Sequence, residues 1–252
     1  MTQRLFALPS AARSNGRART ARASLFRLAG AAALAAATLA GCAGSPPVRY
    51  HTLVAPPSAA GVADAPAQTA AVPAGYMIEV LPVSVPPQVD QPQLMLRSGT
   101  GQLTAQYSDR WSSPLSDEFR DALSAALTQR LGVPDVRVVK PLGDTPVWRV
   151  LVDVQRFEST PGAASVIEAT WRVRRDALDR TAGLLCRSRV DVPVPNGTAA
   201  ADAGSQTEAS LVQAHQQAVV LLGDTIASAI RSQGKSATPA SARVRVLGCV
   251  SA

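Results

Sequence analysis

The chain has 252 residues, 46% of them hydrophobic and 17% charged, and a formal net charge of +7. Six of its 25 basic residues (Arg4, Arg13, Arg17, Arg19, Arg22 and Arg27) lie in the first 27 positions, which hold no acid, so 19 basic side chains face 18 acidic ones in the remainder. The positive balance belongs to the leading segment, and the near-neutral remainder argues against a nucleic-acid partner.

After that basic region comes a short apolar run, Leu28 to Gly41, ending at Cys42. A basic region, a short apolar stretch and small residues before a cleavage point mark a secretory signal, expected here over residues 1–41. A membrane span needs about 20 apolar residues, so this run is too short for one. Leu39-Ala40-Gly41-Cys42 resembles the bacterial lipobox. That resemblance implies diacylglycerol on the Cys42 sulfur, cleavage before it, and a lipid-anchored N-terminus over residues 42–47. Two or three acyl chains, at about 0.8 kcal/mol per buried methylene, hold a protein on a bilayer. Ala43, where aspartate would retain such lipoproteins at the inner membrane, implies the periplasmic face of the outer membrane of a Gram-negative bacterium.

The expected domain runs over 48–231. Val48-Arg-Tyr-His-Thr-Leu-Val54 alternates like a strand, and 55–74, rich in Ala and Pro, reads as a linker or long surface loop. The pattern returns at Tyr76 and leads into Val80-Leu-Pro-Val-Ser-Val-Pro-Pro-Gln-Val-Asp-Gln-Pro-Gln-Leu-Met-Leu-Arg97. Prolines within a strand-like stretch belong at sheet edges, ends and bulges. A catalytic lid, a flexible linker and a rigid corner presenting a surface all fit the pattern. With no base, nucleophile or ligand cluster nearby, the corner is favoured, with a new strand starting at Gln93. Pro86, Pro87, Asp90, Pro92 and Gln93 are expected to form a protein-contact loop, with Asp90 stabilising the turn. Gly99-Thr100-Gly101 fits a hairpin turn and lacks the further residues of a phosphate-binding motif.

A helix is predicted from Ser113 to Gly132, capped by Ser113, with Pro114 at its first position and Asp117 and Glu118 complementing the dipole. Leu115, Phe119, Leu123, Leu127 and Leu131 form its apolar stripe, and Gly132 ends it. Three alternating strands follow. Trp148, Val150, Val152 and Val154 share one face of the first; Ile167, Ala169, Trp171 and Val173 share one of the second; Leu184, Cys186, Ser188, Val190 and Val192 share one of the third. They read as an antiparallel meander. A second helix buries Leu211, Ala214, Ala218, Val219, Leu222, Ile226, Ala229 and Ile230. Residues 232–252 are expected as a flexible tail containing a short edge strand. The fold class is α/β: a single domain, with two main helices packed on a mixed β-sheet.

Chemistry is sparse. Beyond the signal there are two histidines, His51 and His215, and no Gly-x-Ser-x-Gly elbow, so a His-based hydrolase lacks its parts. No spacing suits zinc or another metal, and neither cofactor nor catalytic residue is expected. With Cys42 acylated, Cys186 and Cys249 are left as either a disulfide in an oxidising compartment or two buried free thiols.

The order of motifs carries more than any one of them. After the lipobox come Tyr50-His-Thr-Leu53, the proline-rich corner, Tyr107-Ser-Asp-Arg-Trp-Ser-Ser-Pro-Leu115, Trp148-Arg-Val-Leu-Val-Asp-Val-Gln-Arg-Phe-Glu-Ser-Thr-Pro-Gly162 and Ile167-Glu-Ala-Thr-Trp-Arg-Val173. From about residue 48 to about 230 this series resembles the ABC-type transport auxiliary lipoproteins of the PqiC/YmbA kind. The resemblance implies a non-catalytic outer-membrane lipoprotein working with an MCE-domain protein and its permease in lipid transport between membranes. A homo-oligomeric state is a further expectation from ring-forming partners. The leading alternatives are a general envelope-assembly adaptor or pilot lipoprotein and a periplasmic lipid-acting enzyme. In the transport reading, 55–74 lends the anchored domain its reach.

Overall fold

The computed structural model describes residues 47–56, 75–98, 101–176, 183–194 and 203–251, with side chains from 207 onward in the last of these. The signal segment, Cys42, residues 57–74, Gly99 and Thr100 of the expected hairpin turn, and residues 177–182 and 195–202 lie outside the described residues. Val48–Ala252 form one compact unit.

In chain order the elements are β1 (Arg49–His51), β2 (Met77–Val80), β3 (Gln93–Ser98), β4 (Gln102–Trp111), α1 (Leu115–Leu131), β5 (Val147–Thr160), β6 (Ala164–Asp176), β7 (Gly183–Pro193), α2 (Ala203–Arg231) and β8 (Val244–Ser251). The expected α/β class with two main helices holds, but the strands form two sheets. One is three-stranded, in the order β1-β4-β3; the other is five-stranded, in the order β2-β5-β6-β7-β8. The proline-rich corner explains the division. It interrupts pairing between β2 and β3 and lets each strand join a different sheet. Pairing of β5, β6, β7 and β8 is antiparallel, whereas β2 lies parallel to β5 and β1 parallel to β4.

Alternation within the long strands puts one face in the core. Trp148, Val150, Val152, Val154, Ile167, Ala169, Trp171, Val173, Leu184, Cys186, Val190 and Val192 are all buried. A register shift between Val154 and Arg156 turns Phe157 and Ser159 inward. Such an extra residue bends the strand and re-aims the side chains beyond it.

The α1 stripe is buried from Leu115 to Leu127, with Leu131 half-buried at its end, and every apolar position named for α2 is buried. They approach closely at Gly223, where a Cβ would meet the Ala126 Cβ at 3.0 Å, and Arg130 reaches Asp224 at 3.2 Å. Only glycine admits that approach without displacement. The α1 terminus differs from expectation. Pro114 is the cap residue and makes no side-chain cap bond; its carbonyl accepts from the Asp117 and Glu118 amides, while the Ser113 hydroxyl turns to Glu118. At the other end Gly132 adopts φ 68°, and its amide donates to the Thr128 carbonyl, as a glycine stop requires.

The C-terminal segment carries the expected edge strand, but the stretch leading to it is not the free tail expected. The stretch expected to be flexible after Arg231 folds back on α2 through serine and threonine hydroxyls. Thr238 N donates to Ser228 Oγ at 2.8 Å, Ser232 Oγ to the Ser236 carbonyl at 2.6 Å, and Ala240 N to Thr225 Oγ1 at 3.1 Å. These bonds deliver the eight-residue β8 to the edge of the larger sheet, where seven of its residues pair with β7.

Candidate anchor junction and docking face

Two buried carboxylates hold the first strand of the domain in place. Asp109, on β4, sits opposite Arg49 in the parallel register, with Tyr50 opposite Arg110 and His51 opposite Trp111. Its carboxylate accepts from Arg49 Nε at 2.8 Å and Arg49 Nη2 at 2.7 Å, and it lies 2.8 Å from His51 Nε2. Burial pushes the Asp109 carboxyl up, but the bonds from Arg49 and His51 more than offset it and hold it below its ordinary value.

The second carboxylate is Glu118, in the first turn of α1. It accepts from Thr52 Oγ1 at 2.7 Å, Leu53 N at 2.8 Å, Ser113 Oγ at 3.0 Å and Ser112 Oγ. Here too burial pushes the carboxyl up, and its hydrogen bonds hold it lower than usual. Helix-dipole charge, the role read for Glu118 from sequence, is therefore only part of its work. Leu53 is buried beside it, adding about 1.5–3 kcal/mol of apolar burial. Gln216 of α2 closes the junction by donating to the Thr52 carbonyl at 2.9 Å. The Tyr50-His-Thr-Leu53 and Asp109-Arg-Trp-Ser-Ser-Pro-Leu115 motifs thus form one structural unit.

This arrangement overturns the idea that 55–74 supplies reach. The chain is paired in the small sheet at 49–51 and buried at Leu53 before that segment begins, and it enters the larger sheet at Met77. The segment therefore connects two docked strands and does not separate the anchor from the domain.

The proline-rich corner adjoins the junction. Val83 and Val89 are buried and pin it, and the Pro86 carbonyl accepts from the Val89 and Asp90 amides at 3.0 and 3.2 Å. Pro87, Asp90 and Pro92 are exposed, Pro86 and Gln93 half-buried. The Pro92 carbonyl accepts from the Trp111 amide at 2.8 Å, and Gln93 lies opposite Arg110. Across the small sheet, Tyr50, Arg110 and Gln93 therefore stand in one row. Tyr50 is 67% exposed and Tyr107 is 72% exposed. Exposed tyrosines beside an arginine suit a protein-contact surface, because both types carry much contact energy for little ordering cost. Sequence reasoning missed the tyrosines: Tyr107 falls in line with Leu103 and Ala105 of its strand, and the register irregularity of β4 between Gln106 and Arg110 is not legible in the sequence.

Neither histidine has the surroundings of a catalytic base. His51 contacts Asp109, and no hydroxyl or thiol among the described residues bonds to it. His215 is fully buried, between Ser159 Oγ at 2.8 Å and Ser165 Oγ at 2.7 Å, with the Phe157 ring stacked on it at 4.0 Å. Burial pushes its pKa down to about 3. Among the described residues no group of His, Cys, Asp and Glu is arranged to hold a metal. Cys186 and Cys249, directly opposite on β7 and β8 with Cα atoms 4.1 Å apart, are joined by a disulfide. No helix among the described residues is long and apolar enough to cross a membrane.

The fold and junction define a two-helix, two-sheet α/β domain tied at its N-terminal strand. The chain belongs to the family of ABC-type transport auxiliary lipoprotein components, whose model matches residues 58–227. It is therefore placed with auxiliary components of transport. A crystal structure of an uncharacterised protein shares the fold, with a TM-score of 0.51 and 18% identity over 73% of this chain and 99% of that one. A Xanthomonas campestris protein assigned to DUF330 aligns with a TM-score of 0.47 and 19% identity over 64% of this chain and 86% of that one. No curated protein sequence matches the chain.

Proposed function

We propose that the protein is a lipoprotein anchored by acylated Cys42 to the periplasmic face of the outer membrane, where it docks an MCE-domain protein and its permease system in lipid transport between membranes. It acts as a scaffold without catalysis, as a single copy or as one subunit of a homo-oligomer. The observation that carries this reading is the coincidence of anchor entry and docking face. Arg49 lies seven positions after Cys42, a span of at most about 25 Å. Tyr50, Tyr107, Arg110 and the 86–93 corner are held rigidly beside that entry point. A short leash and a rigid contact surface suit a protein that fixes a partner at a set distance from a membrane.

The test is site-specific photocross-linking in cells, with the cross-linker placed at Tyr50, Tyr107 or Gln88. An MCE-domain protein among the adducts is the expected result. Adducts only to secretin or barrel-assembly subunits would instead establish an envelope-assembly adaptor. Radiolabelled palmitate on wild type, and none on Cys42→Ala, tests the anchor. Inner-membrane sedimentation of the mature protein would overturn the outer-membrane assignment.

A further inference from the structure

The face of the larger sheet turned away from the helices is rich in arginine, and most of these arginines are neutralised locally. Arg156 pairs with Glu158, Arg187 with Glu168, and Arg189 and Arg245 with Asp191. Two break the pattern. Arg172 and Arg174, both exposed on β6, have no carboxylate partner among the described residues. The nearby Asp153 is committed to Ser84 and Gln155. Arg174 moreover lies directly opposite Arg149 of β5. Like charges directly opposite one another destabilise a sheet. Arg149 is held by Glu79 at 2.8 Å and Asp176 at 3.0 Å, and the guanidinium groups of Arg172 and Arg174, on adjacent rows, are left uncompensated by the described residues.

Between these side chains is a hollow of about 120 Å³, lined by Arg149, Arg172, Arg174, Leu81 and Leu151. Leu151, 38% exposed, is directly opposite Arg172. The hollow thus joins an excess of planar donors to an apolar flank. Guanidinium forks match phosphate oxygens in pairs, and leucines offer nothing to a free ion but much to the first methylenes of an acyl chain.

We propose that Arg149, Arg172 and Arg174, with Leu81 and Leu151, form a binding site for the phosphate headgroup of an anionic phospholipid. The phosphate lies between Arg172 and Arg174, and the glyceryl and proximal acyl carbons lie against the two leucines. The site is distinct from the docking face. Trp111, the partner of His51, meets Phe157 edge-on at 6.0 Å, and Leu151 is six residues back along β5, about 20 Å away. The proposal deepens the transport reading and rests on it, since a docking scaffold with a headgroup site of its own contacts the cargo or the bilayer directly.

A photocross-linker at Leu151 of the full-length protein, in cells labelled with 32P-phosphate, tests this directly. The expected product is a 32P-phospholipid adduct, reduced about fivefold for each arginine lost in Arg172→Gln and Arg174→Gln. Arg172→Lys with Arg174→Lys keeps the charge but loses the paired donors, so its adduct falls between those of wild type and the glutamine variants, and matching thermal melts establish that every variant is folded. Inorganic phosphate at millimolar concentration leaves the adduct unchanged. Its competition would mean a free-anion site and overturn the proposal, as would a protein adduct, no adduct, or an adduct indifferent to both arginines. Co-purification with the MCE-domain protein is scored in the same strains. A retained adduct without that partner overturns the transport reading alone, whereas a retained partner without the adduct overturns the headgroup site alone.

Discussion

The first and last strands of the domain are both edge strands, and they are fastened by opposite means. Three-residue β1 lies parallel to β4 and is held by buried carboxylates, Asp109 beneath it and Glu118 just after it. Eight-residue β8 lies antiparallel to β7, is mostly exposed, and is held by its ladder and by the Cys186–Cys249 disulfide. A short strand makes too few ladder bonds to stay put, so it needs side-chain bonds in a low-dielectric setting, where each is stronger. A long exposed strand has its ladder already and gains from a covalent tie. The first fastening is sensitive to protons and the second to reductants.

The largest effect that would break this contrast is expected at Glu118. Glu118→Ala removes an acceptor shared by four donors and strands the buried Leu53 amide, at a cost of about 3–5 kcal/mol. Denaturant unfolding measures it, and a loss below about 1 kcal/mol would deny Glu118 its role. Cys186→Ser with Cys249→Ser should cost about 2–4 kcal/mol, since the bond closes a sequence separation of 63. In hydrogen exchange the loss of protection should concentrate in β8 and spare β1.

Acid sharpens the comparison in the other direction. Asp109 and Glu118 both titrate below their ordinary values when folded. Their contribution is therefore complete above those values and disappears as pH falls through the folded ones, so β1 should lose protection before β8. His215 adds a broader term. Its ordinary value of 6.5 falls to about 3 on folding, so the unfolded chain binds the proton first. Its contribution is complete above pH 6.5 and is lost at about 1.4 kcal/mol per pH unit between 6.5 and 3. Stability measured against pH should flatten over that window in His215→Phe. An unchanged slope would refute the assignment.

The smallest stability effect is expected at the docking face. Tyr50→Ala and Tyr107→Ala should change stability by no more than about 0.5 kcal/mol, because both rings are largely exposed. They should nonetheless reduce MCE-protein capture at least tenfold, as contact residues do. Equal capture by wild type and the double variant would remove the docking role from this face.

Much of this molecule is written locally. The stripe from Leu115 to Leu127, the inward sets of β5, β6 and β7, and the stop at Gly132 follow from periods of 3.6 and 2 and from one glycine conformation. What sequence could not supply depends on register between distant segments. The parallel pairing of β1 with β4 joins residues 60 positions apart, which makes 55–74 a connection between docked strands. Glu118 became a four-donor hub only when Leu53 was brought 65 positions along the chain to meet it. Arg149 and Arg174 are ordinary polar-face positions in their own strands, and only the antiparallel register sets them opposite one another. Local periodicity determines which face of each element is apolar, because each residue's direction follows from its neighbours along the backbone. Tertiary pairing decided which charges meet, because that depends on hydrogen-bond register across strands and on the proline corner that sent β2 and β3 to different sheets.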